Sequence, residues 1–390
     1  MLRSLKPGLL TLLLLTASWA VSAQSITPAA PQLAAEGYLL VDADTGHVIV
    51  EHNSEQRLPP ASLTKIMTSY IISAELQQGT VSLDEEVDIS VKAWQTEGSR
   101  MFVREGTKVS VNDLKRGIII QSGNDASVAM AERIAGSEDA FADLMNQHAA
   151  RLGMTDTNFM NATGLPNENH YTTASDLAKL TNALIRDFPE DYKIYSEKYF
   201  TYNDIKQPNR NTLLWRDKTV DGVKTGHTEA AGYCLVASAK RGDMRLISVV
   251  MGTNSEESRA IESQKLLTYG FRYFETVRLY DAGETLKTVR VWGGDKPSVD
   301  LGVTNNIVIT VPQGSRKNLD ASMDLQKIVR APLRAGEALG TLKIMNGGAL
   351  VKEVVLVANT EVAEGGFFKR LWDGISLFFA KFFSSDTLAV

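Results

Sequence analysis

The runs Tyr38-Leu39-Leu40-Val41-Asp42 and Val48-Ile49-Val50, on either side of Asp44-Thr45-Gly46, predict a β-hairpin closed by an Asp/Gly turn. From Ser62 to about Leu76 the apolar spacing becomes helical, with Ile66, Met67, Tyr70 and Ile71 on one face. Helical segments dominate from about Val111 to Asp187. Strand-like runs return at Gly232–Ala239 and Met244–Met251, joined by the polar turn Lys240-Arg241-Gly242-Asp243, and a last helix spans roughly Ser255 to Phe274. Strands at both ends of this segment with helices between them predict one sheet built from both ends and flanked by helices, an α/β (α+β) domain.

The texture changes near Asp281-Ala282-Gly283. Beyond it, short β-branched or alternating runs are split by Gly, Asn and Pro: Val289–Trp292, Ile307–Val311, Ile328–Val329, Leu342–Ile344 and Val354–Val357. That pattern predicts a second, all-β domain of about 75–80 residues, a small sandwich. After Gly365-Gly366, read as a hinge, Phe367, Phe368, Leu371, Trp372, Ile375, Phe378, Phe379, Phe382 and Phe383 fall on one helical face. Lys369, Arg370, Asp373, Ser376 and Lys381 fall mostly opposite. The charges exclude a conventional spanning helix. A bulky aromatic face with net positive charge predicts a helix lying in a membrane interface through residues 366–383.

The N-terminus reads as an export signal. Arg3 and Lys6 precede an apolar core, Leu9 to Leu15, too short for an ordinary span, and Ala20-Val21-Ser22-Ala23 offers small residues for a peptidase. Cleavage is expected between Ala23 and Gln24. The expected divisions are therefore 1–23, a signal peptide; 24–282, the mixed domain; 283–361, the all-β domain; and 362–390, the amphipathic anchor.

Removing residues 1–23 takes away two of the 41 basic residues and moves the formal charge from −5 to −7. A mildly acidic body argues against nucleic-acid partners, which require a basic surface. The single cysteine, Cys234, lies in the apolar run Tyr233-Cys234-Leu235-Val236 and reads as a buried strand residue. No His/Cys/Asp/Glu group has metal-ligand spacing and no Gly-rich loop follows a strand, so no metal or organic cofactor is expected.

Three short motifs carry the chemistry. Ser62-Leu63-Thr64-Lys65 follows Pro59-Pro60-Ala61 and opens the first helix. Ser122-Gly123-Asn124 follows Ile118-Ile119-Ile120 and precedes another helix. Lys224-Thr225-Gly226 follows Val220-Asp221-Gly222-Val223 and precedes the strand at Tyr233. Each alone is a weak signal, since a serine near a helix start is commonly a cap. Together, each in the context its chemistry needs, they are informative. Serine attacks a carbonyl only if a base takes its proton. Residues three apart share a helical face, so the Lys65 amine can reach the Ser62 hydroxyl. Lysine is a useful base only with a depressed pKa, which an apolar pocket, the positive helix end and a second cation from Lys224 all favour. The Ser62 backbone N–H is a natural oxyanion donor. This pairing dispenses with histidine, and no Gly-x-Ser-x-Gly elbow supports a Ser-His-Asp alternative.

This set, with gaps of 60 and 102 residues between the motifs, resembles the penicillin-binding proteins and the related serine β-lactamases. Pro-Ala-Ser-Leu-Thr-Lys, Ser-Gly-Asn-Asp-Ala and Lys-Thr-Gly-His-Thr resemble the low-molecular-mass D-alanyl-D-alanine carboxypeptidases of the five-and-six type in particular. The likeness covers nearly the whole chain: signal, catalytic domain, β-rich domain and anchor. It implies the serine β-lactamase/penicillin-binding-protein-like transpeptidase fold and removal of terminal D-alanine from peptidoglycan pentapeptide stems ending in D-Ala-D-Ala. It implies β-lactam antibiotics as further partners, and a place at the periplasmic face of the bacterial inner membrane. By the same resemblance, Ser62 is the acyl-ester nucleophile, Lys65 its general base, and Ser122 a proton relay beside Lys224. Asn124 holds the substrate's peptide group, Thr225 and Arg259 its terminal carboxylate, with Arg210 a further candidate at the cleft edge. The N–H groups of Ser62 and His227, next to Gly226, form the oxyanion hole. Cys234 and Ser127 stand where relatives often carry other residues. A β-lactamase on the same fold is the alternative, disfavoured because no Glu-x-x-Leu-Asn follows the second motif; D,D-endopeptidase activity is a variant of the same chemistry.

Overall fold

Residues 27–383 are described by the computed structural model; the signal peptide and its cleavage point lie outside them. Leu39 and Val41 point to one side of their strand and Tyr38 and Leu40 to the other, and both sets are buried. The period of two therefore meets an apolar layer on each face. The strand is β1 (Gly37–Asp42), and with β2 (Val48–His52) it forms the expected hairpin. Three later strands, β3 (Val220–Thr228), β4 (Gly232–Arg241) and β5 (Met244–Thr253), complete an antiparallel sheet in the order β2-β1-β5-β4-β3. Cys234 is fully buried in β4, where burial pushes its thiol up to about 11. The β3 strand, which carries Lys224-Thr225-Gly226, is an addition to the sequence reading.

Helices α1 (Lys65–Gln78), α2 (Asn124–Ala135) and α3 (Ala174–Asp187) fill the layer on the Leu39 side. The long helix α4 (Glu256–Tyr273) covers the other face through Ala260, Leu266 and Leu267. The apolar spacing predicts one buried face for α1, but every residue from Lys65 to Ala74 is buried. It is a central helix, and two of its polar side chains are tied down internally: Thr68 Oγ1 donates to Ala162 O at 2.7 Å and Ser69 Oγ to Ile66 O at 3.1 Å.

In the second domain, Phe274–Tyr280 pairs with Ile307–Pro312, and a six-stranded sheet faces them. Val277, Ile307, Ile309 and Val311 pack against Leu342, Ile344 and Leu356 in one shared core. Phe274–Tyr280 thus belongs to the β domain by pairing and packing, ahead of the expected division at 282/283. The two domains meet at Asp42, whose Oδ2 accepts from Thr310 Oγ1 at 2.8 Å and from Thr276 Oγ1 at 2.5 Å.

The C-terminal helix α5 (Phe367–Phe383) turns its polar side inward. Asp373 Oδ2 accepts the Gly293 N–H at 2.9 Å, and Lys369 Nζ donates to Asp295 O at 3.1 Å. Phe368 and Trp372 are 84% and 70% exposed, and Leu371 and Phe378 also face outward. The expected glycine hinge is instead a seat. Gly365 N donates to Gly293 O at 2.8 Å, and a Cβ on Gly365 would lie 2.7 Å from Gly294 O. Among the described residues no helix is long and apolar enough to cross a membrane.

Candidate active site

Ser62 sits in a 3-10 turn, Ala61–Thr64, immediately before α1, rather than in the helix itself. The turn is shaped by its neighbours. Ala61 has a φ of 46°, and Gly164 packs so closely that a Cβ there would lie 1.8 Å from Ala61 O. On the other side, a Cβ on Gly226 of β3 would lie 3.0 Å from Pro60 O. Two glycines thus let backbone close on both sides of the serine.

Lys65 opens α1 and is 1% exposed. Its Nζ donates to Ser62 Oγ at 3.0 Å, to Asn124 Oδ1 at 2.7 Å and to the Thr163 carbonyl at 2.5 Å. Burial, then the positive charge of Arg210, partly opposed by Asp125, brings its pKa down to about 7. Arg210 thus joins Lys224 as a cation set against Lys65, the coupling between the two lysines being mutual. Lys224 is itself pushed well below its ordinary value by burial, Lys65, Arg210 and Arg259.

The second motif follows a short π-helical turn, Gly117–Gln121, which ends with Ser122 in the left-handed region at a φ of 68°. A non-glycine residue there is held by its surroundings. The Ser122 Oγ is buried and has no hydrogen-bond partner among the described residues, so its donor and acceptor capacity remains available in the cleft. Asn124 is already engaged, accepting from Lys65 and donating from Nδ2 to Glu97 O at 2.5 Å, which leaves it one N–H and one lone pair. Asp125 ties the neighbouring segment to the start of α2: its carboxylate accepts the backbone N–H groups of Met101, Phe102 and Val103.

Ser62, Ser122, Asn124, Thr225, Gly226, His227, Arg210 and Arg259 all line one cleft of about 340 Å³, together with Thr163 and Gly164. Lys65 and Lys224 lie buried behind its wall. All ten candidate residues are thus brought together. Arg259 is nearly buried; its Nη1 donates to Gly226 O at 3.2 Å and its guanidinium lies over the Tyr233 ring, which in turn stacks on His227 at 3.9 Å. Thr163, Gly164 and Asp125 were not singled out by sequence; of these only Asp125, inside Ser-Gly-Asn-Asp, stood next to a recognisable motif. Among the described residues no group of three or more His, Cys, Asp or Glu side chains could hold a metal ion.

A hydroxyl bonded to an enclosed amine whose pKa is lowered to about 7, so that a substantial fraction is neutral near neutral pH, is the arrangement of a serine acyl-transfer enzyme working without histidine. The comparisons with known proteins narrow that class. A family profile for D-alanyl-D-alanine carboxypeptidases matches residues 24–255, and one for the C-terminal domain of penicillin-binding protein 5 matches residues 274–364. The chain is 44% identical to D-alanyl-D-alanine carboxypeptidase DacC of Escherichia coli K12, over 99% of its own length and 98% of the relative. Penicillin-binding protein 5 from Haemophilus influenzae superposes with a TM-score of 0.83 at 45% identity, over 87% of this chain and all of that one. Penicillin-binding protein D2 from Listeria monocytogenes, in its ampicillin-bound form, matches with a TM-score of 0.58 at 30% identity, over 63% of this chain and all of that one. The chain belongs to the D-alanyl-D-alanine carboxypeptidase family of serine peptidases, with the penicillin-binding protein 5 type of β domain behind its catalytic domain.

Proposed function

We propose that this protein removes the terminal D-alanine from peptidoglycan pentapeptide stems through an acyl-enzyme on Ser62. The observation that carries the reading is the 3.0 Å hydrogen bond between Lys65 Nζ and Ser62 Oγ, made by an amine whose pKa is about 7. In the first step Ser62 Oγ attacks the carbonyl of the penultimate D-alanine while the neutral Lys65 amine takes the hydroxyl proton. The backbone N–H groups of Ser62 and His227 receive the developing oxyanion. Ser122 passes a proton, drawn from the Lys65–Lys224 side, to the leaving amine, the C–N bond breaks, and D-alanine departs. Water then attacks the ester while Lys65 takes its proton; the acyl C–O bond to Ser62 breaks, the proton passes to Ser62 Oγ, and the shortened stem leaves with a new C-terminal carboxylate.

Arg259 and Thr225, with Arg210 at the edge, neutralise the terminal carboxylate and so select a free C-terminus. Asn124 offers its remaining N–H and lone pair to the stem's peptide group. A β-lactam enters the same first step through its ring amide, but its amine stays tethered after ring opening and the ester persists. The protein works outside the cytoplasm, exported by its N-terminal signal and attached to the periplasmic face of the inner membrane through the aromatic side of α5.

Incubation with a pentapeptide ending in D-Ala-D-Ala, with an assay for free D-alanine, tests the activity. Stoichiometric release of D-alanine is expected from the wild-type protein and none from Ser62→Ala. Rapid, repeated hydrolysis of penicillin without release of D-alanine would overturn the reading in favour of a β-lactamase.

A further inference from the structure

His170 has no part in the reaction described above, yet it is only 4% exposed and sits directly behind the nucleophile. Its Nε2 lies 2.9 Å from Thr64 Oγ1, in the same 3-10 turn as Ser62. Its Nδ1 accepts the Met160 backbone N–H in a longer contact of 3.5 Å, and its ring meets the Phe159 ring edge-on at 5.8 Å. An accepting Nδ1 leaves the ring proton on Nε2, so the imidazole donates to Thr64.

The two partners of this ring hold opposite sides of the Ser62–Lys65 pair. Thr64 belongs to the turn that carries the nucleophile. Met160 begins the segment in which Ala162 O accepts from Thr68, Thr163 O accepts from Lys65 Nζ, and Gly164 presses on Ala61. A ring bonded to both sets the spacing between the serine's turn and the carbonyl that anchors the lysine. We propose that His170 is a positioning residue for acylation: by bridging Thr64 and Met160 it holds the Ser62 turn and the Thr163 carbonyl at the separation that aims Lys65 Nζ at Ser62 Oγ.

The surroundings suit that task. Burial, and after it the charge of Lys65, pushes the His170 pKa down to about 4, so the ring stays neutral while Lys65 titrates near 7. A charged imidazole would turn an N–H toward the Met160 N–H and repel Lys65. Lys65 is the charged group acting on the ring; Arg210 and Asp125 act in turn on Lys65.

This inference rests on Ser62 as the acylated residue, so the experiment separates the two. The rate of acylation by a fluorescent penicillin is measured against pH for the full chain and its variants, alongside kcat and KM for D-alanine release. In His170→Ala the acylation rate falls about tenfold, as misaligned reacting groups require. Its kcat drops with little change in KM, and the acid limb moves to higher pH because water entering the vacated space relieves the desolvation of Lys65. His170→Gln, whose amide can donate to Thr64 and accept from Met160, restores both rate and limb. Thr64→Val, which removes the acceptor and keeps the shape, reproduces the loss and decides the matter if His170→Ala does not fold. A folded His170→Ala or Thr64→Val with the wild-type rate and limb overturns the proposal, as does a His170→Gln variant as slow as His170→Ala. Failure of the wild-type protein to be labelled at Ser62 instead overturns the acyl-enzyme reading beneath it.

Discussion

Asn124 and Lys65 are joined through Oδ1 and Nζ at 2.7 Å, so the second motif grips the first directly. A neutral acceptor at this position leaves the lysine free to lose its proton; an anionic one would not.

That difference is measurable. In Asn124→Asp a carboxylate beside Nζ favours the ammonium form and raises the Lys65 pKa by roughly 1–3 units. Acylation by penicillin at neutral pH falls by about tenfold or more, and the rate recovers at alkaline pH. A pH–rate profile with an unshifted acid limb would show that this contact does not set the basicity of Lys65.

The wild-type profile has its own expected shape. Acylation requires neutral Lys65, so the rate rises through an acid limb near the pKa of about 7 and levels above it. Arg210→Gln removes a cation that lowers this pKa, which moves the limb upward; because Arg210 is exposed, the shift is small and shrinks further with added salt. A limb insensitive to Arg210 would assign the depression to burial alone.

Gly164→Ala is expected to be severe. The new methyl carbon would stand 1.8 Å from Ala61 O, at a φ of +83° that disfavours any side chain. The turn carrying Ser62 must move or the protein must unfold, at a cost on the order of 3 kcal/mol. Thermal unfolding and penicillin labelling of the same preparation read both effects, and a variant normal in each would remove Gly164 from the account.

Stability in acid should carry the signature of His170. Its pKa is about 4 in the folded protein against an ordinary 6.5. Between those values the unfolded chain binds the proton and the folded one does not, so stability falls as pH drops from about 6.5 toward 4. The loss from this group is on the order of 3 kcal/mol. Urea unfolding of His170→Gln at matched pH values should show a shallower decline than the wild-type protein, and parallel declines would contradict the assignment.

Deleting residues 366–390 should abolish sedimentation with anionic lipid vesicles while leaving penicillin labelling intact, because α5 contributes nothing to the cleft. Undiminished sedimentation of the truncated protein would locate membrane attachment elsewhere.

Much of this architecture was legible in the chain, and the failures have physical causes. The hairpin at Tyr38 and the strands at Gly232 and Met244 announced themselves because both faces of each strand are apolar. The strand at Val220–Thr228 did not: Asp221, Gly222, Lys224 and Gly226 spoil its pattern, and its pairing with β4, Lys224 opposite Val236, comes from tertiary structure. Phe274–Tyr280 follows a helix without a break signal, so its allegiance to the β domain shows only in its pairing with Ile307–Pro312. At the site, the ten candidates named from the motifs meet in or behind one cleft, while Asp125, whose carboxylate binds three backbone N–H groups, was passed over inside Ser-Gly-Asn-Asp. Thr163, which holds Lys65 with a carbonyl, and Gly164, which acts by lacking a side chain, use features nearly any sequence could supply. His170 was visible as one of five histidines, but its bond to Thr64 spans 106 residues.

The seating of Gly365 against Gly293 bears on how such an enzyme, attached as proposed, would survey the wall. A terminal helix clamped to its domain by Asp373 and Lys369 is a bracket, not a leash. With the two domains also pinned at Asp42, that proposed attachment would set the cleft at one fixed height above the lipid. Only stems that pass through that plane would then come within reach.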